Sequence, residues 1–219
     1  MTSLPAALLL SLKIALVATL LVTLVGVPLA YLMARRSFPG KSVVEAMLVV
    51  PLVLPPTVVG YFLLVAVGSR SVVGSLVGRW LGYSLLFNWH GAVLAAAAVS
   101  LPLLYLPAKA GFAGVERELE DIAKLFGAGR VRTFWHVSLP LARRGIGSGL
   151  LLAFARALGE FGATVMVMGS QPGKQTLPIL IYDRYLTGEM AAAAPAVVLL
   201  AAVSFGVIVL YNRSIFGRG

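Results

Sequence analysis

The sequence contains no cysteine, only eight acidic residues and only two histidines, and just 12% of its 219 residues are charged. Without cysteine the chain can form no disulfide, no thiol nucleophile and no thiolate metal site. A soluble domain carries about 25% charged residues, so the composition argues against a globular fold with a surface that faces water on all sides.

Apolar residues make up 59% of the chain, and the mean hydropathy is +0.95. A helix needs about 20 apolar residues to cross the roughly 30 Å hydrocarbon core of a bilayer. The sequence predicts an all-α, polytopic membrane protein with one transmembrane domain over residues 1–219 and a cytoplasmic loop at about 112–145. Five stretches are apolar and long enough to be spans, at about 6–34, 43–67, 91–111, 146–168 and 191–211.

Lysine and arginine are distributed unequally between the predicted loops. Twelve lie on one side of the membrane, namely Arg35, Arg36, Lys41, Lys109, Arg117, Lys124, Arg130, Arg132, Arg143, Arg144, Arg213 and Arg218. Four lie on the other side, namely Arg70, Arg79, Lys174 and Arg184. Since cytoplasmic loops carry the excess of basic residues, we predict a multi-pass protein of the cytoplasmic (inner) membrane with its N-terminus outside and its C-terminus in the cytoplasm. The net charge of +10 then reflects topology, and we expect no nucleic-acid partner.

The only long polar segment contains a short amphipathic helix. Residues 116–126 read ERELEDIAKLF, with Val115, Leu119, Ile122 and Phe126 at helical spacing on one face. The helix could lie at the membrane interface with its apolar face down, or it could dock a cytoplasmic protein. Acidic residues are costly beside an anionic leaflet, which favours a protein partner.

The spacing within this segment resembles the coupling motif of binding-protein-dependent ABC importers. That motif reads Glu-Ala-Ala, three residues, Gly, nine residues, Ile-x-Leu-Pro. Here Asp121 replaces the glutamate, Ile122 replaces the first alanine and Val137 replaces the isoleucine. The resemblance implies that the segment inserts into a separate ATPase subunit. The residues that it assigns to this coupling are Glu120, Asp121, Ala123, Gly127, Leu139 and Pro140.

Three further stretches resemble the molybdate permeases, with the sulfate permeases close to them. They are RRSFPGKSVVE at 35–45, PLVLPPTVVGY at 51–61 and RALGEFGAT at 156–164. The resemblance implies a type I ABC importer permease for molybdate, or for sulfate or tungstate. It also implies a permease homodimer in the lipid bilayer, two cytoplasmic ABC ATPase subunits and an extracytoplasmic molybdate-binding protein. ATP-Mg would be bound by the ATPases, and no cofactor is expected in this chain.

Polar and helix-breaking residues within the spans mark candidates for the translocation path. Prolines in span two remove backbone donors, so the helix must kink or break there, either for packing or to line the path. In span four an arginine and a glutamate lie four positions apart, either as an ion pair that fixes packing or as part of the path. The candidates are Pro55, Pro56, Thr57, Arg156, Glu160 and Thr164.

No nucleotide-binding or catalytic motif is evident. Residues 169–175 are one residue short of a P-loop and end in glutamine. His90 and His136 fall on opposite predicted sides, so we expect no metal site, no catalytic residues and no intrinsic enzyme. A secondary transporter or channel would predict inverted repeats, and none is recognisable. A membrane-embedded enzyme or scaffold would predict a cluster of polar residues at one depth, and only Arg156 and Glu160 qualify.

Overall fold

The computed structural model describes residues 2–171 and 173–216. Every regular element in these ranges is helical. In chain order the helices are α1 (Leu4–Arg35), α2 (Lys41–Val53), α3 (Pro56–Val67), α4 (Val72–Leu81), α5 (Trp89–Ala113), α6 (Arg117–Leu125), α7 (Arg130–Thr133), a π-helical segment (Phe134–Ser138), α8 (Leu139–Leu141), α9 (Arg143–Leu158), α10 (Gly162–Met168), α11 (Leu177–Leu186) and α12 (Met190–Phe216).

Three helices are long and apolar enough to cross a membrane without interruption. They are α1 with 32 residues, α5 with 25 residues, and α12, of which Met190–Arg213 supplies 24 residues. At 1.5 Å per residue, even 24 residues reach about 36 Å, more than the hydrocarbon core requires. The first, third and fifth predicted spans fall inside these helices.

The other two predicted spans are broken helices. α2 and α3 meet at an angle of 118°, and α9 and α10 meet at 57°. The first break lies at Leu54 and Pro55, because neither Pro55 nor Pro56 can donate a backbone hydrogen bond, and Pro56 starts α3 where a donor is not needed. Counting each bent pair as one span gives up to five spans in the described residues, in agreement with the predicted number.

The core is formed by α1, α5 and α9, which pack through small side chains. Ala15 and Ala18 of α1, together with Ala92 and Ala96 of α5, are fully buried. Gly149 of α9 lies directly against α5, where an added Cβ would come within 2.8 Å of the Leu104 carbonyl oxygen. Small residues allow this close approach of helix backbones, which van der Waals contacts then stabilise in the absence of a hydrophobic force between helices in lipid.

The connecting segments gather at two opposite ends of α1. At its start, the Thr2 hydroxyl donates to Gln175 Oε1 at 2.7 Å, and Ser11 Oγ accepts the Leu177 N–H at 2.8 Å. At its other end, the Arg35 guanidinium contacts α6. The loop before α11 and the α6 region therefore lie at opposite ends of the helix bundle. The sequence placed these two segments on opposite sides of the membrane, which agrees with this arrangement.

Candidate coupling surface and translocation path

The predicted amphipathic helix is present, but its apolar face is left uncovered. Helix α6 runs from Arg117 to Leu125, with Glu116 at the N-cap position. Leu119 and Ile122 are exposed, and Phe126, which follows the helix, is 89% exposed. Of the predicted apolar face only Val115, which precedes the helix, is buried. The described chain therefore presents these apolar side chains outward.

Gly127 follows the end of this helix in a left-handed conformation. Its φ angle is +82°, in the left-handed region that favours glycine. The Gly127 N–H donates to the Lys124 carbonyl at 2.9 Å, and the Ala128 N–H donates to the Ala123 carbonyl at 3.0 Å. These two bonds form a Schellman motif, which satisfies the last carbonyls and reverses the chain sharply. The chain therefore reverses tightly at Gly127.

Glu120 points inward, unlike the rest of α6. It is the only buried residue of the helix, although its position among acidic residues suggested an exposed contact for a partner. Its Oε1 atom accepts hydrogen bonds from Arg35 Nε at 2.9 Å and from Ser138 Oγ at 2.7 Å. Arg35 Nη2 also donates to the Val115 carbonyl at 3.0 Å. Glu120 therefore ties the helix to the membrane domain rather than presenting its charge to solvent.

Asp121 and Ala123 are the other α6 positions that the resemblance assigned to coupling. Asp121 is exposed, and its carboxylate pairs with Lys124 at 2.7 Å. The hydrogen bond from Lys124 holds the pKa of Asp121 below its usual value, so the carboxylate stays ionised at neutral pH. Ala123 is partly buried. The outward charge of this helix is thus carried by Asp121, beside the exposed apolar side chains.

Leu139 and Pro140 lie in continuous helical structure rather than at the end of a helix. The π-helical segment precedes them, and the Leu139 N–H donates to the Phe134 carbonyl. Since Pro140 has no N–H, the regular hydrogen-bond ladder is interrupted here in any case. Leu139 packs against the core, and the next long helix begins at Arg143. The helical structure therefore continues through Leu139 and Pro140, although a proline often marks the end of a helix.

Sequence reasoning missed two residues that hold this region together. Arg35 was counted as a topological charge and as the start of the 35–45 stretch, and Ser138 only as the variable position of the motif. Neither was expected to bind Glu120, and both do. Aromatic rings add to the attachment, because Tyr31 of α1 contacts Phe134 at 4.9 Å and Phe112 of α5 at 5.3 Å between ring centroids. Each ring pair is edge-on, the arrangement that aromatic quadrupoles favour.

The two broken helices pack against each other beside their breaks. An added Cβ on Gly162, the first residue of α10, would lie 3.1 Å from Pro56 Cβ and 3.2 Å from Thr57 Cγ2. One turn on, Gly60 lies so close to α10 that a Cβ would come within 2.9 Å of Ala163 Cα. The structure thus brings the predicted Pro56 and Thr57 next to the break that carries Glu160.

Arg156 and Glu160 form an ion pair at the end of α9. The Glu160 side chain is 1% exposed, whereas the Arg156 side chain is 29% exposed. The second carboxylate oxygen of Glu160 accepts the Ala163 N–H at 2.7 Å, which satisfies a free donor at the start of α10. A charge buried in a membrane span needs such partners, and Glu160 has both.

The remaining path candidates divide by exposure. Thr164 is 1% exposed, so in this conformation its hydroxyl does not reach a surface. Pro55 and Thr57 are exposed on the single chain. Of the six candidates, Pro55, Thr57 and Arg156 are therefore accessible near the paired breaks, Glu160 and Thr164 are enclosed, and Pro56 is half-buried against Gly162.

Residues 26–216 match the family model described as "Binding-protein-dependent transport system inner membrane component". The match begins within α1 and includes the coupling region and both broken helices. The chain therefore belongs to this family of inner membrane transport components. It is a permease subunit of such a transport system.

Curated relatives are similar over most of the chain. It is 42% identical over 206 residues to the molybdenum transport system permease protein ModB of Escherichia coli (strain K12), covering 93% of this chain and 90% of that protein. It is 36% identical over 208 residues to the molybdate/tungstate transport system permease protein WtpB of Thermococcus kodakarensis, covering 95% and 77%.

Solved structures share the fold. A chain of a bacterial alginate ABC transporter, in complex with an alginate-bound periplasmic protein, matches with a TM-score of 0.71 at 18% identity, covering 95% of this chain and 76% of that one. A chain of an amino acid ABC transporter matches with a TM-score of 0.62 at 19% identity, covering 97% and 92%. The fold is that of an ABC importer permease, as the sequence predicted.

Proposed function

We propose that this chain is the membrane-spanning permease subunit of an ATP-driven importer for molybdate or a similar tetrahedral oxyanion. The observation that carries the proposal is the 42% identity to a molybdenum transport permease over 93% of the chain. Tungstate is the second candidate substrate, because the molybdate/tungstate permease is 36% identical over 95% of the chain. Sulfate is the third candidate, on the sequence resemblance alone.

The ATPase partner is assigned to the exposed face of α6. Leu125 and Phe126 are 86% and 89% exposed, and the ionised Asp121 lies on the same short helix. Large apolar side chains this exposed mark a binding surface, and here the surface lies on a rigid helix with a fixed end. Because Glu120 attaches the helix to α1, a displacement by the ATPase would be passed to the membrane helices.

We assign a homodimer, with one ATPase bound to helix α6, the coupling helix, of each copy. Helix α2 has no buried residue in the single chain, and α3 exposes Tyr61 and Phe62. A path enclosed between two copies would cover these faces and place the accessible Arg156 near its centre. An external binding protein would deliver the anion at the opposite end from α6, where the loops around residues 61–89 and 169–190 gather.

The transport cycle follows from these contacts. ATP binding would draw the two ATPases together, move the coupling helices and open the membrane helices outward to accept the anion. Inside the path, the Arg156 guanidinium attracts a dianion while Glu160 repels it. Contact with the anion is therefore weak and transient, which transport needs because the substrate must leave.

Reconstitution tests the proposal. The chain, its cognate ATPase and ATP are placed in vesicles with the cognate binding protein, and uptake of labelled molybdate is measured. We expect ATP-dependent uptake that excess tungstate inhibits strongly and sulfate weakly. Uptake that needs neither ATP nor the binding protein would contradict the importer assignment, and inhibition by sulfate alone would transfer the assignment to a sulfate permease.

The proposed orientation can be tested directly because the chain has no cysteine. Single variants Arg132→Cys, in the α6 region, and Lys174→Cys, at the opposite end, are labelled with a membrane-impermeant maleimide in intact right-side-out vesicles. We expect Lys174→Cys to react and Arg132→Cys to react only after the membrane is opened. The reverse pattern would place α6 outside and remove the ATPase contact.

A further inference from the structure

A basic cavity lies between the end of α1, the coupling helix and α7. Its volume is about 350 Å³. Its walls are formed by Tyr31, Leu32, Arg35, Arg36, Arg117, Glu120, Asp121, Lys124, Arg130 and Thr133. The translocation path does not use this cavity, the exposed apolar side chains of α6 do not line it, and five of its ten lining residues are cationic.

The acidic residues in the walls are already neutralised. Glu120 pairs with Arg35 at 2.8 Å, and Asp121 pairs with Lys124 at 2.7 Å. In the ranges 2–171 and 173–216, the remaining cations Arg36, Arg117 and Arg130 form no ion pair. Arg36 follows α1, Arg117 starts α6 and Arg130 starts α7. Asp121 attracts Arg117 but is already paired with Lys124. The positive charge of the walls therefore exceeds the negative charge, which favours a bound anion.

The chemistry of the walls favours a phosphate group. Guanidinium presents a planar fork of donors that matches the oxygens of phosphate, and three of them suit a group with several oxygens better than a single carboxylate. Tyr31 and Leu32 add apolar surface beside the charges. The cavity also lies where the long apolar helix α1 ends, which is the level of lipid headgroups in a bilayer.

We propose that this cavity, lined by Arg36, Arg117 and Arg130, is a binding site for a phosphate group, supplied by an anionic phospholipid headgroup or by dissolved phosphate. The bound group offsets part of the charge of the three guanidinium groups and bridges the end of α1, α6 and α7. Because Arg35 lies in the same wall and holds Glu120, occupancy also stiffens the attachment of the coupling helix. The proposal concerns the chain alone and does not depend on which anion is transported.

The test uses the full chain purified in a neutral detergent. Native mass spectrometry measures retention of phosphatidylglycerol against phosphatidylcholine, and thermal unfolding measures the effect of inorganic phosphate against chloride at equal ionic strength. The variant combines Arg36→Gln with Arg130→Gln. The matched control combines Arg143→Gln with Arg144→Gln, which are exposed on the same side of the protein but outside the cavity.

We expect the wild type to bind a phosphate-bearing probe and the cavity variant to bind it about thirtyfold more weakly, at about 1 kcal/mol for each basic residue near a headgroup. The control should stay within about threefold of the wild type, since its arginines lie outside the cavity. Selective retention of phosphatidylglycerol without a phosphate effect assigns the lipid headgroup, and stabilisation by inorganic phosphate assigns a dissolved anion. Failure of both probes to bind, or an equal loss in the control, would overturn the proposal.

Discussion

Arg35 at the end of α1 and Glu120 in the middle of α6 are 85 positions apart in sequence, yet two guanidinium nitrogens lie 2.9 and 2.8 Å from one carboxylate oxygen. Both side chains are nearly enclosed, at 11% and 7% exposure. The pair attaches the coupling helix to the longest helix of the membrane domain. A charged hydrogen bond of this kind resists displacement more strongly than apolar contacts that slide over each other.

Replacing Glu120 should therefore destabilise the whole protein. Glu120→Gln leaves the enclosed Arg35 without a counter-charge, and removing one partner of a buried pair costs about 3–5 kcal/mol. We expect a clear drop in the unfolding temperature of the detergent-purified chain. Glu118→Gln, on the exposed side of the same helix, should change the free energy of unfolding by less than about 0.5 kcal/mol. Equal stability of the two variants would mean that Glu120 is not an anchor.

The left-handed residue at the end of α6 gives a second prediction. In Gly127→Ala an alanine must adopt a backbone φ of +82°, which costs about 1 kcal/mol. The substitution should therefore loosen the end of the coupling helix. Co-purification with the cognate ATPase should fall by about fivefold, in keeping with that energy. Gly129→Ala is the control, because Gly129 has a φ of −67° and open space around it. Equal ATPase retention in both variants would contradict the requirement for this turn.

The close packing of α3 against α10 predicts that a substitution at Gly60 destabilises the protein, although no polar group lies at this contact. Gly60→Ala would place a Cβ 2.7 Å from Met166 Cβ and 2.9 Å from Ala163 Cα, so α3 and α10 must separate. Overpacking of this kind costs about 1–3 kcal/mol. Gly147→Ala has no neighbour within 4 Å and should be neutral or slightly stabilising in α9. Thermal unfolding of the two purified variants compares them directly, and a stable Gly60→Ala protein would refute the close packing.

Variants of Arg156 and Glu160 can distinguish a role of this ion pair in helix packing from a role in anion transport. Arg156→Leu leaves Glu160 buried without its cation and should destabilise the chain by several kcal/mol. Adding Glu160→Gln removes the unpaired charge and keeps an oxygen that can accept the Ala163 N–H. We expect unfolding temperature to recover while ATP-dependent molybdate uptake stays at least about tenfold low, because the anion has lost its cation. Recovery of both would show that the pair only packs α9 against α10.

The number and placement of the long helices were predictable from local composition. A run of some 20 apolar residues is stable only inside a bilayer or a core, and once there it must satisfy its own backbone as a helix. The break in span two was predictable as well, since Pro55 and Pro56 cannot continue a hydrogen-bond ladder. The break between α9 and α10 was not predicted, because no proline marks it. The angle of 118° between α2 and α3 was not predictable either, because proline predicts a break without fixing its angle.

In the α6 region, too, only some features were predictable from the sequence. The spacing of Ala123, Gly127 and Leu139 predicted a coupling segment, and the left-handed conformation of Gly127 followed from its residue type. The inward direction of Glu120 did not follow, because helical periodicity places it among exposed acidic residues and says nothing about Arg35. Only the approach of two remote segments decides which carboxylate on a polar face is enclosed.

The sequence by itself determined that this chain is a helical membrane protein, where its apolar spans lie, that the second span breaks at its prolines, and which segment resembles the coupling motif. These properties depend on hydropathy, on proline and glycine, and on spacing within about 25 residues. The tertiary structure alone decided that Arg35 holds Glu120, that two broken helices meet beside Gly162, and that three unpaired arginines face one cavity. Contacts between residues far apart in the chain depend on packing geometry, which no local pattern encodes.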